Sequence, residues 1–360
     1  MINVTQSYVP DLKKYLSYLE RVFKNGQFTN NGDMVKELSF RLEQYLGVKN
    51  LELVANGMLA LQLAIRALGL KGDIITTPYS YVATANSIVW EGCRPIFVDI
   101  EERTFCVNPE LIEAAITENT TAILATHVYG YPCDVDKISE IASRHKLKII
   151  YDAAHCFGVK YNGRSILEYG DVSILSFHAT KLFHTAEGGA TVSGKDVASK
   201  IRLMKKFGHV GEDEYLSIGI NAKMSELHAA MGLCVLPEVD ELIGIRRTLS
   251  EKYDELLLGN GIGRPVKTEG LEYNYAYYPI LFPDHNSMMS ARAALIEQDI
   301  FARRYFYPSL NALSYLADPG RFSCKVSEDV STRVLSLPLS HELQASEVEK
   351  ISSIILDNLR

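Results

Sequence analysis

The chain has 360 residues, with 37 Lys or Arg against 44 Asp or Glu, a net charge of −7 and 47% hydrophobic residues. At about 150 residues per domain this predicts two domains with a substantial core, and the modest charged fraction excludes a disordered chain. The negative balance argues against nucleic acid as the main partner, and six cysteines without a C-x-x-C pair exclude a disulfide framework and a Cys-rich zinc site. The first residues lack a basic segment followed by an apolar one, so no targeting leader is expected. No apolar run approaches the ~20 residues of a membrane span, which leaves a cytoplasmic protein with reduced thiols as the expectation.

In chain order, Leu12, Tyr15, Leu16, Leu19 and Phe23 share one face at helical spacing. Met34, Leu38, Leu42, Tyr45 and Leu46 repeat the pattern up to Gly47, which suits the left-handed turn that ends a helix. From residue 51 the texture alternates. Strands are predicted at 51–55, 74–77, 96–99, 122–125, 148–152 and 172–177, and helices at 58–68, 109–116 and 135–145. Asn108 caps the second of these helices and Pro109 opens it. Such alternation means an α/β domain whose mostly parallel sheet is covered by helices. Polar residues collect just past the strands, at Asn56-Gly57, Tyr79 to Tyr81, His127, Asp152 and Ser176 to Lys181. Ligands of open α/β sheets bind at that edge.

The tail differs: a helix at 238–258, a Tyr-rich strand at 273–282, a helix at 288–299 and a last helix with an apolar face of Val348, Ile351, Ile355 and Leu359. Ser346 and Glu349 form the expected capping box of that last helix. A large domain is therefore placed at 1–240 and a smaller α+β domain at 241–360.

Three features carry chemistry. Lys181 follows a strand among small polar residues and precedes the pair Gly188-Gly189. In a closed cleft such a lysine has a lowered pKa and forms a Schiff base with an aldehyde. Asp152 ends a strand, and a buried aspartate beside a pyridine nitrogen keeps that nitrogen protonated. Val54 to Leu61 reads as strand, Gly turn and helix start, where free amides and the positive helix end hold a phosphate. It matches neither G-x-G-x-x-G nor G-x-x-x-x-G-K-[ST]. Taken singly, Tyr81 reads as a core aromatic, His155 as a hydrogen-bonded structural histidine and Asn221 as a helix N-cap. His178 and His184 flank the lysine without a metal-ligand pattern, and no metal is expected.

Together, A-N-G-M-L-A-L-Q-L-A (55–64), T-P-Y-S-Y-V-A-T-A-N-S-I (77–88), Y-D-A-A-H-C-F-G (151–158), S-F-H-A-T-K-L-F-H-T-A-E-G-G-A (176–190) and G-I-N-A-K-M-S-E-L-H-A-A (219–230) resemble the DegT/DnrJ/EryC1/StrS family of nucleotide-sugar aminotransferases. The resemblance covers nearly the whole chain. It implies the pyridoxal-phosphate (PLP) fold of type I, like that of aspartate aminotransferase. It also implies amino transfer from L-glutamate to a nucleoside-diphosphate keto-deoxy sugar by way of pyridoxamine phosphate.

Carried over by position, the resemblance makes Lys181 the Schiff-base lysine and proton carrier and Asp152 the partner of the pyridine nitrogen. His155 lies near the ring hydroxyl, and Tyr81 stacks on the ring. Gly57 and Met58 offer amides to the phosphate and Ser176 a hydroxyl. Asn221 reaches the neighbouring subunit's cofactor phosphate, which implies a homodimer with shared sites. Arg303, Arg304, Tyr305 and Tyr307 approach the sugar nucleotide. Where the family has Ser-Gly-Thr this chain has Asn56-Gly57-Met58, so the Met58 side chain cannot donate a hydroxyl to phosphate. Within the family, the N-terminus and the core around Lys181 resemble most the branch that aminates a dTDP-4-keto-6-deoxy sugar. A 3-aminotransferase, a UDP- or GDP-4-keto-sugar aminotransferase, a dehydratase on the same scaffold and a non-catalytic sensor are the rivals. The dehydratase branch that lacks the Schiff base has His where Lys181 stands here.

Overall fold

The computed structural model describes residues 1–316 and 323–359. A seven-stranded sheet organises the first two-thirds of the chain: β1 (Leu51–Val54), β2 (Asp73–Thr76), β3 (Arg94–Phe97), β4 (Thr120–Thr126), β5 (Lys148–Asp152), β6 (Val172–Ser176) and β7 (Gly189–Ser193). Their order across the sheet is β1-β7-β6-β5-β4-β2-β3. Strand β7 lies antiparallel between β1 and β6, while the pairs β6-β5, β5-β4, β4-β2 and β2-β3 are parallel. Six strands thus point one way, and the carboxyl ends of β1, β2, β4, β5 and β6 share one edge with the start of β7.

Side chains alternate between the two faces of the sheet, and both faces are buried. On β4 and β5, Ile123, Ala125, Ile149 and Tyr151 enter one apolar cluster, while Ala122, Leu124 and Ile150 enter the cluster on the opposite face. The helices that cover the sheet are α1 (Leu12–Asn25), α2 (Asp33–Leu46), α3 (Gly57–Ala67), α4 (Val82–Trp90), α5 (Pro109–Ala115), α6 (Val135–His145), α7 (Lys195–Met204) and α8 (Glu226–Val235). Helix α9 (Val239–Leu257) bridges two cores. Its Val239 and Leu242 belong to the main cluster, and its Leu249, Tyr253 and Leu257 to a separate one. That second cluster is completed by β8 (Tyr278–Leu281), α10 (His285–Glu297), β9 (Val334–Leu337) and α12 (Ala345–Asp357), with α11 (Lys325–Arg333) just before β9.

Several expectations need correcting. On α1, Leu12, Leu16 and Phe23 are exposed, and Val22 is the buried residue, so its apolar face is largely turned to solvent. The Tyr-rich segment is a strand only from Tyr278. Before that it is a loop tied down by Asn274, whose Nδ2 donates to the carbonyls of His155 and Phe157 at 2.9 and 3.0 Å. The last capping box uses Gln344 and Glu347, two positions before the expected pair, and Glu349 instead meets Lys252 at 2.6 Å. Helices α4, α7, α8 and α11 and strands β7 and β9 were not anticipated. Helix α4 is rich in small and β-branched residues, and α8 is buried on most sides, so neither shows a strong amphipathic period.

Candidate active site

The shared strand edge opens into a cavity of about 520 Å³. Each wall comes from a segment that the sheet delivers to that edge. After β1 the chain turns through Asn56 into α3. The Asn56 side chain accepts from the Leu59 amide at 2.9 Å and its carbonyl takes the Ala60 amide. The amides of Gly57 and Met58, the first two of the helix, therefore point out of its positive end. A Cβ on Gly57 would lie 2.9 Å from the Ser176 Cβ, so glycine is what allows this turn to sit against the end of β6. Two amides and a hydroxyl line this corner, a donor set matched to a phosphate. The Met58 side chain lines the cavity with no hydroxyl to offer, which leaves its backbone amide as the polar contact.

Asp152 ends β5 and is buried. Its Oδ2 accepts from the Thr84 hydroxyl at 2.7 Å and its Oδ1 from the Ala154 amide at 3.1 Å. Burial raises the carboxyl pKa above its ordinary value, and the Thr84 and Ala154 hydrogen bonds and the Lys181 charge act against that. A carboxylate has about four lone-pair sites, so two engaged donors leave it able to accept a ring N–H.

His155 lies one turn further along the chain. Its Nδ1 accepts from the Tyr129 amide at 3.0 Å, which places the ring proton on Nε2. Burial first, and the Lys181 charge second, hold the imidazole well below its ordinary pKa. His155 is thus a neutral donor, the form suited to a phenolic oxygen. Its ring is parallel to that of Phe306 at 5.8 Å.

Lys181 lies in the loop between β6 and β7, half-buried, with Nζ 3.2 Å from the Tyr277 hydroxyl. The same loop carries two close approaches. A Cβ on Gly188 would meet the Thr185 Oγ1 at 2.1 Å, and one on Gly189 would meet the Asn56 backbone at 2.7 Å. These glycines let β7 start directly beside the α3 turn. His184 is buried in the loop with its Nε2 on the Tyr8 carbonyl at 2.8 Å, and His178 is exposed with its Nδ1 on the Thr180 hydroxyl at 2.8 Å. Among the described residues no group of three or more His, Cys, Asp or Glu could hold a metal ion.

The structure therefore gathers Gly57, Met58, Tyr81, Asp152, His155, Ser176 and Lys181 around one cavity, and adds Arg303 and Tyr305 from the C-terminal part of the chain. Three of the expected residues lie elsewhere. Arg304 turns away, stacked on the Tyr307 ring with its Nη2 on the Ser331 carbonyl at 3.4 Å. Neither Arg304 nor Tyr307 lines the cavity, whereas Arg303, Tyr305 and Phe306 do. Asn221 is exposed, bridged through its backbone to Lys206 and through its Oδ1 to the Lys223 ammonium at 2.6 Å. It is not a helix cap; Ser225 caps α8. His127 also leaves the expected cluster. It is buried, stacked on Tyr151 at 4.5 Å, and its pKa is pushed down to about 3 by burial.

Sequence reasoning missed Tyr277, Phe306 and Thr84. Thr84 lies in the stretch 77–88 already singled out, so its neighbourhood was visible. Tyr277 is 96 positions from Lys181 and gives no local signal. The donor set fits pyridoxal phosphate: amides and a hydroxyl for the phosphate, a buried carboxylate for the ring nitrogen, a neutral N–H for the ring oxygen and an amine for the aldehyde.

Comparison with known proteins bears on this chemistry. A profile of the DegT/DnrJ/EryC1/StrS aminotransferase family matches residues 11–356. A dTDP-4-amino-4,6-dideoxy-D-glucose transaminase of Shigella dysenteriae is 43% identical over 359 residues, covering 98% of each chain. One of the same name from Escherichia coli is 38% identical over 369 residues, covering 99% of each. The solved structure of DesI in the presence of its TDP-sugar product superposes with a TM-score of 0.95 at 29% identity, covering 100% of this chain and 93% of that one.

Proposed function

The chain belongs to the DegT/DnrJ/EryC1/StrS aminotransferase family, and from that premise we propose that this PLP-dependent enzyme converts dTDP-4-keto-6-deoxyglucose to dTDP-4-amino-4,6-dideoxyglucose with L-glutamate as donor. The observation that carries the reading is the placement of Lys181, Asp152 and His155 around one cavity together with the phosphate corner at Gly57 and Met58. Bound PLP supplies a reactive aldehyde carbon and a ring that accepts electrons.

The residues supply position and charge. The amides of Gly57 and Met58 and the Ser176 hydroxyl would hold the phosphate. Asp152 would keep a proton on the ring nitrogen, and His155 Nε2–H would donate to the ring oxygen. Lys181 Nζ would take the proton from the glutamate carbon that bears the nitrogen and later deliver one to the sugar carbon that receives it. Tyr81, at the mouth of the cavity, would cover one ring face. Arg303, with its guanidinium over the Tyr305 ring at 4.9 Å, is the cation placed to meet the diphosphate of the sugar nucleotide. Products of this kind enter surface-polysaccharide synthesis, and we place the enzyme in the cytoplasm. All six cysteines are free and buried, as a reducing compartment permits, and among the described residues no helix is long and apolar enough to cross a membrane.

The test is a coupled assay of dTDP-, UDP- and GDP-linked keto sugars with glutamate, followed by NMR of the product. The expected result is the highest kcat/KM on the dTDP-4-keto-6-deoxy sugar, with the new amine on C4. Faster turnover of a UDP or GDP sugar, or amination at C3, would replace this substrate with another.

The active unit is read as a homodimer with shared sites. Asn221 is exposed and does not line its own chain's cavity, and the segment around it exposes Phe207, Tyr215, Leu216, Ile218 and Ile220. An apolar surface of this kind marks a protein contact. Asn221 of the partner subunit would then complete each phosphate corner. Mixing Asn221→Ala with Lys181→Ala under exchange conditions is expected to restore part of the activity that each variant lacks alone. Heterodimers have one site free of both substitutions only if Asn221 acts across the interface. No recovery in mixtures shown by mass to contain heterodimer would refute the shared site.

A further inference from the structure

The Asp152 carboxylate is the end point of a chain of buried hydroxyls. The Thr126 hydroxyl donates to Ser80 Oγ at 3.0 Å, Ser80 Oγ and Thr84 Oγ1 are 2.8 Å apart, and Thr84 Oγ1 donates to Asp152 Oδ2 at 2.7 Å. All three are buried, at 3%, 2% and 0% exposure. They come from three elements: the end of β4, the turn after β2 and the first turns of α4.

An ionised carboxylate only accepts, so Thr84 must donate its single proton to Asp152. Its lone pairs then accept from Ser80, whose own lone pairs accept from Thr126. Every hydroxyl dipole is thereby turned toward the carboxylate, an arrangement in which each bond strengthens the next. A helical threonine commonly returns its hydroxyl to a carbonyl one turn back. Thr84 does not, and its hydroxyl is engaged by Asp152 and by the Ser80 side chain instead.

We propose that Thr84 is a positioning residue for Asp152, the last donor of a buried Thr126–Ser80–Thr84 relay that orients the carboxylate and keeps it ionised at the ring nitrogen. The inference rests on the reading of Asp152 given above. The Ala154 amide is the other hydrogen-bond donor on the carboxylate. The titratable neighbours are Lys181 from the loop after β6, His155 and the buried Cys156 thiol from the turn after β5, and His127 at the end of β4. Both histidines are held neutral by burial. Helix α4 meets the carboxylate with the Thr84 hydroxyl, strand β4 reaches it only through Ser80, and β6 pairs with the Asp152 backbone through Ile174. Among the described residues Lys181 is the cation whose charge acts on the carboxylate, and in the proposed reading it also carries protons.

The test uses the full-length protein. Thr84→Val keeps the shape and removes the donor, and Thr84→Ser keeps the donor and removes the methyl. PLP binding to apoenzyme is titrated by fluorescence across pH, beside kcat for the glutamate half-reaction. Losing a hydrogen bond to the charged form raises the carboxyl pKa. The acid limb of both PLP affinity and kcat should therefore move up by about one pH unit in Thr84→Val. The KM for the sugar nucleotide should stay put, and Thr84→Ser should restore the wild-type limb.

An unmoved limb in Thr84→Val overturns the proposal, as does equal loss in Thr84→Ser, which would mean packing alone. If Thr84→Val does not fold, Ser80→Ala is read instead; a shift in the same direction, smaller in size, supports the relay and no shift refutes it. Asp152→Ala run in parallel separates the two levels. Full activity there sinks the role of Asp152 itself, whereas an inactive Asp152→Ala beside an indifferent Thr84→Val sinks only the relay.

Discussion

Lys181→Ala is expected to lose about 10⁴-fold or more in kcat for both halves of the amino transfer, since on the proposed reading it removes the covalent attachment point and the proton carrier together. The purified wild-type enzyme should be yellow, and the variant should show the spectrum of a cofactor held without a covalent bond. The fold should survive. Lys181 is half-buried with its Nζ on the Tyr277 hydroxyl, and the Asp152 carboxylate, which loses a nearby positive charge in this variant, keeps its Thr84 and Ala154 donors. PLP should still bind through the phosphate corner and Asp152, with weaker affinity. An unchanged visible spectrum in this variant would remove Lys181 from the chemistry, whatever the assay reads.

Asp152→Ala should cost at least about 10²-fold in kcat, because the ring can no longer hold a proton against the charge that develops in the reaction. Here stability suffers too. The Thr84 hydroxyl and the Ala154 amide both donate to this carboxylate, and each loses its acceptor in a buried place. At about 1–3 kcal/mol for an unsatisfied buried group, the apoenzyme should melt measurably lower than wild type. Asp152→Asn is the informative companion. Its amide oxygen can satisfy one of the two donors and its volume is right, yet it cannot hold the ring proton by charge. Asparagine should therefore recover much of the melting temperature and little of the kcat. If it recovered kcat as well, the carboxylate would be serving the fold alone.

The two positions on which these results depend were legible without coordinates. Asp152 closes a run of strand-forming residues, Lys-Ile-Ile-Tyr, and Lys181 follows another, Val-Ser-Ile-Leu-Ser. A parallel sheet necessarily sends the carboxyl ends of such strands to one edge. The Gly57 turn was legible for the same reason. Local periodicity also located the strands of the sheet apart from β7, and it placed α3, α5, α6, α9 and α12 with small errors at their ends.

What it could not reach were contacts whose partners lie far apart in the chain. Tyr277 meets Lys181 across 96 residues, and Thr84 meets Asp152 across 68. The loop around Arg303 is moored by the hydroxyls of Tyr79 and Tyr129 on the Tyr305 carbonyl. That mooring turns Arg303 and Tyr305 into the cavity and leaves Arg304 and Tyr307 outside it. Sequence alone had treated these four as one group, since composition does not say which side chains of a loop turn inward. The apolar face of α1 shows the same limit: spacing identified a stripe, and only packing decided that Leu12, Leu16 and Phe23 remain exposed. The sequence by itself thus determined the sheet edge, its lysine and its aspartate, because strand period and strand-end chemistry are local properties. Which side chains surround that pair was decided by the tertiary structure, because a side chain's direction depends on segments that local patterns do not connect.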